Sequence, residues 1–97
     1  KEILALFLVD GQARADKLEQ ALDTADLGVA AKAAHSLKGM CGTINAPALM
    51  DVALHMEVAC RSGNTDAAKA LLPALRRHLE AVKGQIRAYL ESGKVPG

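Results

Sequence analysis

Aromatic residues are nearly absent from this sequence. It contains one Tyr, one Phe and no Trp, although 51% of its 97 residues are hydrophobic. A core with so few aromatic and β-branched side chains favours helices, because those side chains are the ones that pack well in sheets. The length suits one core. We therefore predict a single all-α domain.

A charge excess and a long apolar run are also missing. The formal net charge is +1, whereas a nucleic-acid-binding domain would need a strong basic excess. No apolar run reaches the roughly 20 residues that cross a bilayer, and the apolar segment 3–9 lacks the features of a signal peptide. We expect a cytoplasmic domain, either free-standing or the cytoplasmic part of a membrane-bound protein, that contacts neither nucleic acid nor membrane.

The two cysteines, Cys41 and Cys60, match no metal-binding spacing and no disulfide framework. Buried thiols in a cytosolic protein are the simpler interpretation. The chain begins at Lys1 rather than Met, which suggests a part excised from a longer protein.

The spacing of apolar residues predicts helices separated by short turns, with no strand candidate. A short helix is expected over residues 2–9, ending near Asp10 and Gly11, and a second over residues 12–22. The segment 23–26 offers N-cap candidates for a third helix that runs to about residue 44.

Two more helices are predicted in the second half of the chain. Asn45 should cap the fourth helix, with Pro47 in its first turn, and residues 62–64 should end it. Thr65 and Asp66 should cap the fifth, whose apolar stripe is typical of the packing seam of a helical bundle. Pro73 should kink that helix or mark its effective start.

The expected architecture is an antiparallel four-helix bundle with a short additional N-terminal helix. It forms one domain over residues 1–97, with a flexible tail over about residues 92–97.

The predicted third helix carries the most informative side chain, His35. With 3.6 residues per turn and Leu37 at the centre of the buried face, His35 points about 160° away, into water. The side chains of His55 and His78 are also expected on polar faces of their helices. Exposure alone therefore does not choose among the three histidines.

The surroundings of His35 are more specific. A glycine inside a helix costs roughly 0.5–1 kcal/mol relative to Ala, yet Gly28, Gly39 and Gly42 share its outer side. Bare backbone there lets a partner surface approach closely. Lys38, one turn later, can reach the ring and would favour a dianionic phosphoryl group on it. A neutral imidazole is a competent nucleophile toward phosphorus, so the pattern indicates an anion-carrying nucleophile on a flat docking surface.

Other interpretations of these residues stay open. His35 could be a surface histidine on an Ala-rich helix, with glycines placed for tight packing. A metal site lacks a second ligand at a suitable spacing, and a hydrolase would need a base-orienting partner and a pocket.

The stretch Ala-His-Ser-Leu-Lys-Gly at residues 34–39 resembles the signature of the histidine-containing phosphotransfer (HPt) domain family. Downstream, the similarity continues at Leu49, Glu57, Arg61 and Gly63, so it extends over nearly the whole chain. Three residues depart from the pattern of the family. Asn45 stands where the family commonly has Gly, Met56 stands where it usually has Leu, and Pro73 in the last helix is atypical.

The resemblance implies that His35 is a phosphoacceptor in two-component signal transduction. It would take a phosphoryl group from the aspartyl-phosphate of one receiver domain and pass it to another, without kinase activity of its own. Lys38 would hold the phosphoryl group or orient the imidazole. No cofactor is expected on this chain, because the receiver would supply Mg²⁺. Many members of the family are modules of hybrid sensor histidine kinases, which we also expect here, although others are free-standing carriers.

The receiver-docking face would surround His35 on the predicted third helix and part of the second. Lysines there would complement the acidic site of a receiver in a small, transient complex. The residues expected at this face are Leu27, Gly28, Ala31, Lys32, Gly39 and Gly42.

Two alternatives to this function remain. A histidine-kinase dimerisation module would also bear a phosphorylated His but would form its bundle from two chains, whereas we expect a monomer. A structural or adaptor bundle would tolerate replacement of His35 without loss of partner binding.

Overall fold

A computed structural model describes residues 2–92 of the chain. It contains the helices α1 (Glu2–Asp23), α2 (Leu27–Ile44), α3 (Pro47–Arg61) and α4 (Thr65–Ser92), and no strand within residues 2–92. Each helix packs against the next, and α4 returns to α1, so the four helices close a ring. The short connections make neighbouring helices antiparallel. The prediction of an all-α four-helix bundle is confirmed.

The predicted short N-terminal helix is not a separate element, because α1 continues through Asp10 and Gly11 without a break. Gly11 is buried, and a Cβ built on it would lie 3.1 Å from the ring of Phe7 one turn earlier. This glycine therefore makes room for the ring of Phe7, which is itself buried in the core. Asp-Gly pairs are common in turns, which is why this pair resembles a helix end in the sequence.

The turn after α2 contains Asn45, one of the residues that depart from the signature the sequence resembles. Asn45 ends α2 in the left-handed region, with φ 58°, and its backbone N–H bonds to the carbonyl of Cys41. Asn is the non-glycine residue that adopts this conformation most readily, so it preserves the turn. Asn45 was predicted to cap the following helix. Instead Ala46 occupies that cap position without a side-chain hydrogen bond, and Pro47 opens α3.

The helices α2 and α4 each begin with a side-chain cap. Asp26 accepts a hydrogen bond from the backbone N–H of Val29 at 3.2 Å, as expected for one of the predicted cap candidates. At α4 the cap is Asn64, whose Oδ1 accepts from the N–H of Ala67 at 3.1 Å. Thr65 is therefore the first helical residue rather than the cap.

The core is built from small and aliphatic side chains, as the composition predicted. Both cysteines lie in it, and burial raises the pKa of the Cys41 thiol to about 11. Pro73 is exposed and lies inside α4, so it does not mark the start of that helix. The largest fully buried side chains are those of Phe7, Leu18, Leu22, Leu37, Leu49, Met56, Leu75, Leu79 and Cys41.

None of the helices in the part of the chain that the structure describes is both long enough and apolar enough to cross a membrane. The tail predicted for residues 92–97 lies outside the described residues, except for Ser92 at the end of α4.

Candidate functional site

His35 lies near the middle of α2, on the side opposite the core. Ala30, Leu37 and Cys41 of the same helix are fully buried, whereas the side chain of His35 is 61% exposed. The helical periodicity of the sequence thus placed this histidine correctly in water.

A carboxylate from the neighbouring helix holds the ring of His35. The Nδ1 atom lies 3.0 Å from Oε2 of Glu57 on α3, and the side chain of Glu57 is only 8% exposed. An ionised carboxylate can only accept hydrogen bonds, so Nδ1 must carry the proton in this contact. The neutral ring then has its lone pair on Nε2. No described residue makes a hydrogen bond to Nε2, which is left free to react.

The same carboxylate binds two cations. The ammonium group of Lys38 donates to Oε1 of Glu57 at 2.8 Å, and the guanidinium of Arg61 donates to Oε2 at 2.9 Å from Nε and lies equally close through a terminal nitrogen. The hydrogen bond from Lys38, followed by those from Arg61 and His35, lowers the pKa of Glu57 to about 2 and outweighs the opposing effect of burial. Glu57 is therefore ionised at any physiological pH.

The other two histidines lack such an anchor. His55 is as exposed as His35, but its Nδ1 bonds to the backbone carbonyl of Asp51 in its own helix at 2.9 Å. His78 is half-buried and lines a groove of about 630 Å³ at the end of the bundle that holds the turn between α2 and α3. Exposure does not distinguish His35 from His55, as expected, whereas a buried interhelical carboxylate does.

The glycines near His35 are not required by packing within the chain. A Cβ at Gly39 would meet nothing within 4 Å, and one at Gly42 would lie an ordinary 3.7 Å from Sδ of Met50. At Gly28 the nearest atom, Oδ1 of Asp26, is also 3.7 Å away. Tight packing therefore does not explain these three positions, and bare helix surface surrounds the ring.

Most of the residues expected at the docking face reach the surface. Gly28, Lys32, Gly39 and Gly42 are exposed, and Leu27 is half-buried.

Ala31 is the exception, because it is 3% exposed and contributes almost no surface. It lies seven residues before Lys38, on the same side of α2, and Lys38 reaches across to Glu57 of α3. The neighbouring helix thus covers this side of α2, and the burial extends further round the helix than the wheel centred on Leu37 predicted.

Glu57 and Arg61 enter the sequence analysis only through the family resemblance, and no role at the site is predicted for either residue. Their spacing of four residues predicts an ion pair on one helix, which is observed. Nothing in the sequence, however, fixes the register between α2 and α3 that brings this pair to His35.

Among residues 2–92, no group of three or more His, Cys, Asp or Glu side chains could hold a metal ion.

Comparison with known protein families gives a match. The model of the family described as the Hpt domain matches residues 2–85, which include α1, α2, α3 and most of α4. No curated protein and no solved structure matches the chain.

Proposed function

Because the chain belongs to the Hpt domain family, whose members carry phosphoryl groups on histidine in phosphorelays and are not kinases, we propose that its phosphoacceptor is His35, through Nε2. The observation that carries this proposal is the 3.0 Å contact between Nδ1 and the buried carboxylate of Glu57. It keeps the lone pair on the exposed nitrogen of the ring. The Nδ1 atom of His55 is also hydrogen-bonded, to the backbone carbonyl of Asp51 in its own helix. Of the three histidines, however, His35 alone is held by a buried carboxylate of another helix that also binds a lysine, Lys38.

The proposed reaction is reversible transfer between His35 and the aspartate of a receiver domain. The lone pair of Nε2 attacks phosphorus, a P–N bond forms, and the P–O bond to the aspartate breaks with its electrons on the carboxylate. We propose that the receiver brings Mg²⁺ to this reaction and that no cofactor resides on this chain. The phosphoryl group is received from one receiver and passed to another.

Lys38 is the proposed partner of the phosphoryl group. Its ammonium group is held by Glu57, and 29% of its side chain is exposed, so it stays close to the ring and can still meet an incoming anion. A charge-assisted hydrogen bond from this group would stabilise the dianionic phosphoryl group on Nε2.

We propose that a receiver docks on the outer face of α2, around Gly28, Gly39 and Gly42. Support comes from the open space above these glycines, where a side chain would find little within the chain to contact. Lys32 at the same face is exposed and complements the acidic active site of a receiver.

Transfer from a labelled receiver tests this function. With Mg²⁺ and a panel of phosphorylated receivers, the wild-type chain and the variants His55→Gln and His78→Gln should acquire an acid-labile, alkali-stable label. His35→Gln should acquire none. Equal labelling of His35→Gln would contradict the proposal and place the phosphoacceptor at another residue. No labelling of the folded wild type by any receiver would contradict it and favour an adaptor function.

We also propose that the domain is a monomer. A single chain supplies all four helices of the bundle, whereas a dimerisation hairpin of a histidine kinase would need a second chain to complete one. Light scattering coupled to gel filtration should give about the mass of one chain, 10.1 kDa. A mass of two chains would favour the dimerisation module.

From the resemblance to the family we propose, finally, that the domain is the cytoplasmic module of a hybrid sensor histidine kinase. An antibody against the domain should then detect a much larger polypeptide in cells. A band close to the mass of the domain would identify a free-standing carrier instead.

A further inference from the structure

One carboxylate contacts the ring of His35, and two cations bind that same carboxylate. Glu57 contacts Nδ1, while Lys38 and Arg61 bind the remaining positions of the same carboxylate. Lys32, one turn earlier on α2, is exposed and adds a more distant charge that water screens. Within residues 2–92, no charged group of α1 or α4 forms an ion pair with the ring. The nearest fixed charges therefore have a positive sum.

This balance suits the empty ring. The hydrogen bond to Glu57 fixes the ring proton at Nδ1, while the two cations share the negative charge of the same carboxylate. Nε2 thus keeps its lone pair, as a nucleophile requires.

Phosphorylation reverses the balance. A phosphoryl group brings a charge of roughly −1.5 to −2, which neutralises the effect of the two cations on the ring. The attraction between the Glu57 carboxylate and the Nδ1 proton is then no longer offset. Because the Glu57 side chain is 8% exposed, water has little access to replace this contact.

Given the proposed role of His35 as phosphoacceptor, we infer that Glu57 is a positioning residue that keeps the Nδ1 proton on the phosphorylated ring. Phosphorylated His35 then releases its phosphoryl group without first taking up a proton.

The bonds and charges of this step balance. The aspartate carboxylate of the receiver attacks phosphorus, a P–O bond forms, and the P–Nε2 bond breaks with its electron pair on Nε2. A ring that carries the Nδ1 proton leaves as neutral imidazole, whereas a ring without it would leave as an imidazolate anion, a much poorer leaving group. No proton moves in either direction, so Glu57 serves both loading and unloading.

The variants Glu57→Gln and Arg61→Gln form a matched pair for testing this inference. The amide in Glu57→Gln keeps the shape of the side chain but removes its charge, and it can donate to Nδ1 as well as accept from it. Arg61→Gln removes a cation from the same oxygen and leaves the carboxylate in place. Lys38 and Arg61 are both partly exposed, so water can solvate them in the Glu57→Gln variant, where the carboxylate is replaced by an amide.

The first measurement is the rate of phosphoryl transfer from the loaded domain to a receiver, between about pH 6.5 and about pH 8.5. The ratio of variant to wild type cancels the pH dependence of the receiver itself. The ratio for Glu57→Gln should fall by up to about tenfold for each pH unit above neutrality. The ratio for Arg61→Gln should not fall with pH, because the carboxylate that holds the proton remains in place. Parallel pH profiles for wild type and Glu57→Gln would overturn the inference.

The second measurement needs no receiver, so it separates this inference from the proposed function. The domain is loaded chemically with phosphoramidate, and nitrogen-15 NMR follows the protonation of Nδ1 in phosphorylated His35. The wild type should keep the proton to higher pH than Glu57→Gln. Loss of the proton at the same pH in both would refute the role of Glu57 even if receivers exchange phosphate with the domain. Retention of the proton in the wild type alone would support it even if no receiver does.

Discussion

Nδ1 of His35 on α2 and Oε2 of Glu57 on α3 lie 3.0 Å apart, so the orientation of an exposed ring depends on the packing of two helices. The ring itself is mostly in water, whereas the carboxylate that holds it is almost fully covered. The contact with Glu57 therefore holds the ring at Nδ1, and Nε2 stays accessible.

The first prediction concerns acid stability. Because the pKa of Glu57 is lowered to about 2 in the folded chain, its ionised form stabilises the fold above the ordinary carboxyl pKa of 4.5. This contribution should disappear as the pH falls from about 4.5 toward about 2. We expect ionised Glu57 to add about 1–2 kcal/mol to the free energy of unfolding at neutral pH. The value is modest because its partner Arg61 is largely exposed and screened by water.

Urea unfolding of the wild type and Glu57→Gln at several pH values measures this contribution. The difference in free energy of unfolding should be largest near neutral pH and should vanish at the acidic end. A difference that does not change with pH would mean that the ionisation of Glu57 does not stabilise the fold.

The second prediction separates the two lysines near His35. Replacing Lys38 with Met should slow transfer at saturating receiver by roughly tenfold, because a donor to the phosphoryl group is lost. Replacing Lys32 with Met should raise the KM for the receiver and weaken its dependence on salt, with little change in kcat. Identical kinetic effects of the two substitutions would contradict the separate roles.

The third prediction uses two glycines with equally open surroundings. Neither Gly39 on α2 nor Gly84 on α4 has an atom within 4 Å of an added Cβ. Substitution of either by Ala should raise the free energy of unfolding by roughly 0.5–1 kcal/mol, because Ala favours the helix.

Function should distinguish these two glycines. Gly39→Leu should slow transfer from a receiver strongly, since it obstructs the face beside His35, while Gly84→Leu should leave the rate unchanged. Normal transfer by Gly39→Leu would show that the receiver does not approach this part of α2.

The fourth prediction concerns the turn that ends α2. Asn45 has φ 58°, a conformation that Ala adopts only at a cost, so Asn45→Ala should lower the free energy of unfolding by about 1 kcal/mol. Asn45→Gly should equal or exceed the wild type in stability. Thermal unfolding of the three proteins checks this order, and a fully stable Asn45→Ala would contradict it.

Much of the fold follows from the sequence because helical periodicity is a local property. The positions of Leu37 and Cys41 in the core and of His35 in water required only 3.6 residues per turn. The predicted helix end at Asp10 and Gly11 was wrong. The glycine makes room for the Phe7 ring beside it, and local sequence does not reveal packing of that kind.

The site was only partly predictable for the same reason. His35 and Lys38 lie on one helix and follow from local spacing. Glu57 reaches them from another helix, and the burial of Ala31 depends on the same neighbour. Both facts depend on how α2 and α3 pack, which a single sequence does not specify.

We propose that Nε2 of His35 is the atom that carries the phosphoryl group. The most direct test is to load the nitrogen-15-labelled domain from a phosphorylated receiver and identify the modified nitrogen by its coupling to phosphorus in NMR. We expect one coupled nitrogen, Nε2 of His35, with Nδ1 still bearing its proton. Coupling at Nδ1 of His35, or at a nitrogen of His55 or His78, would contradict the claim.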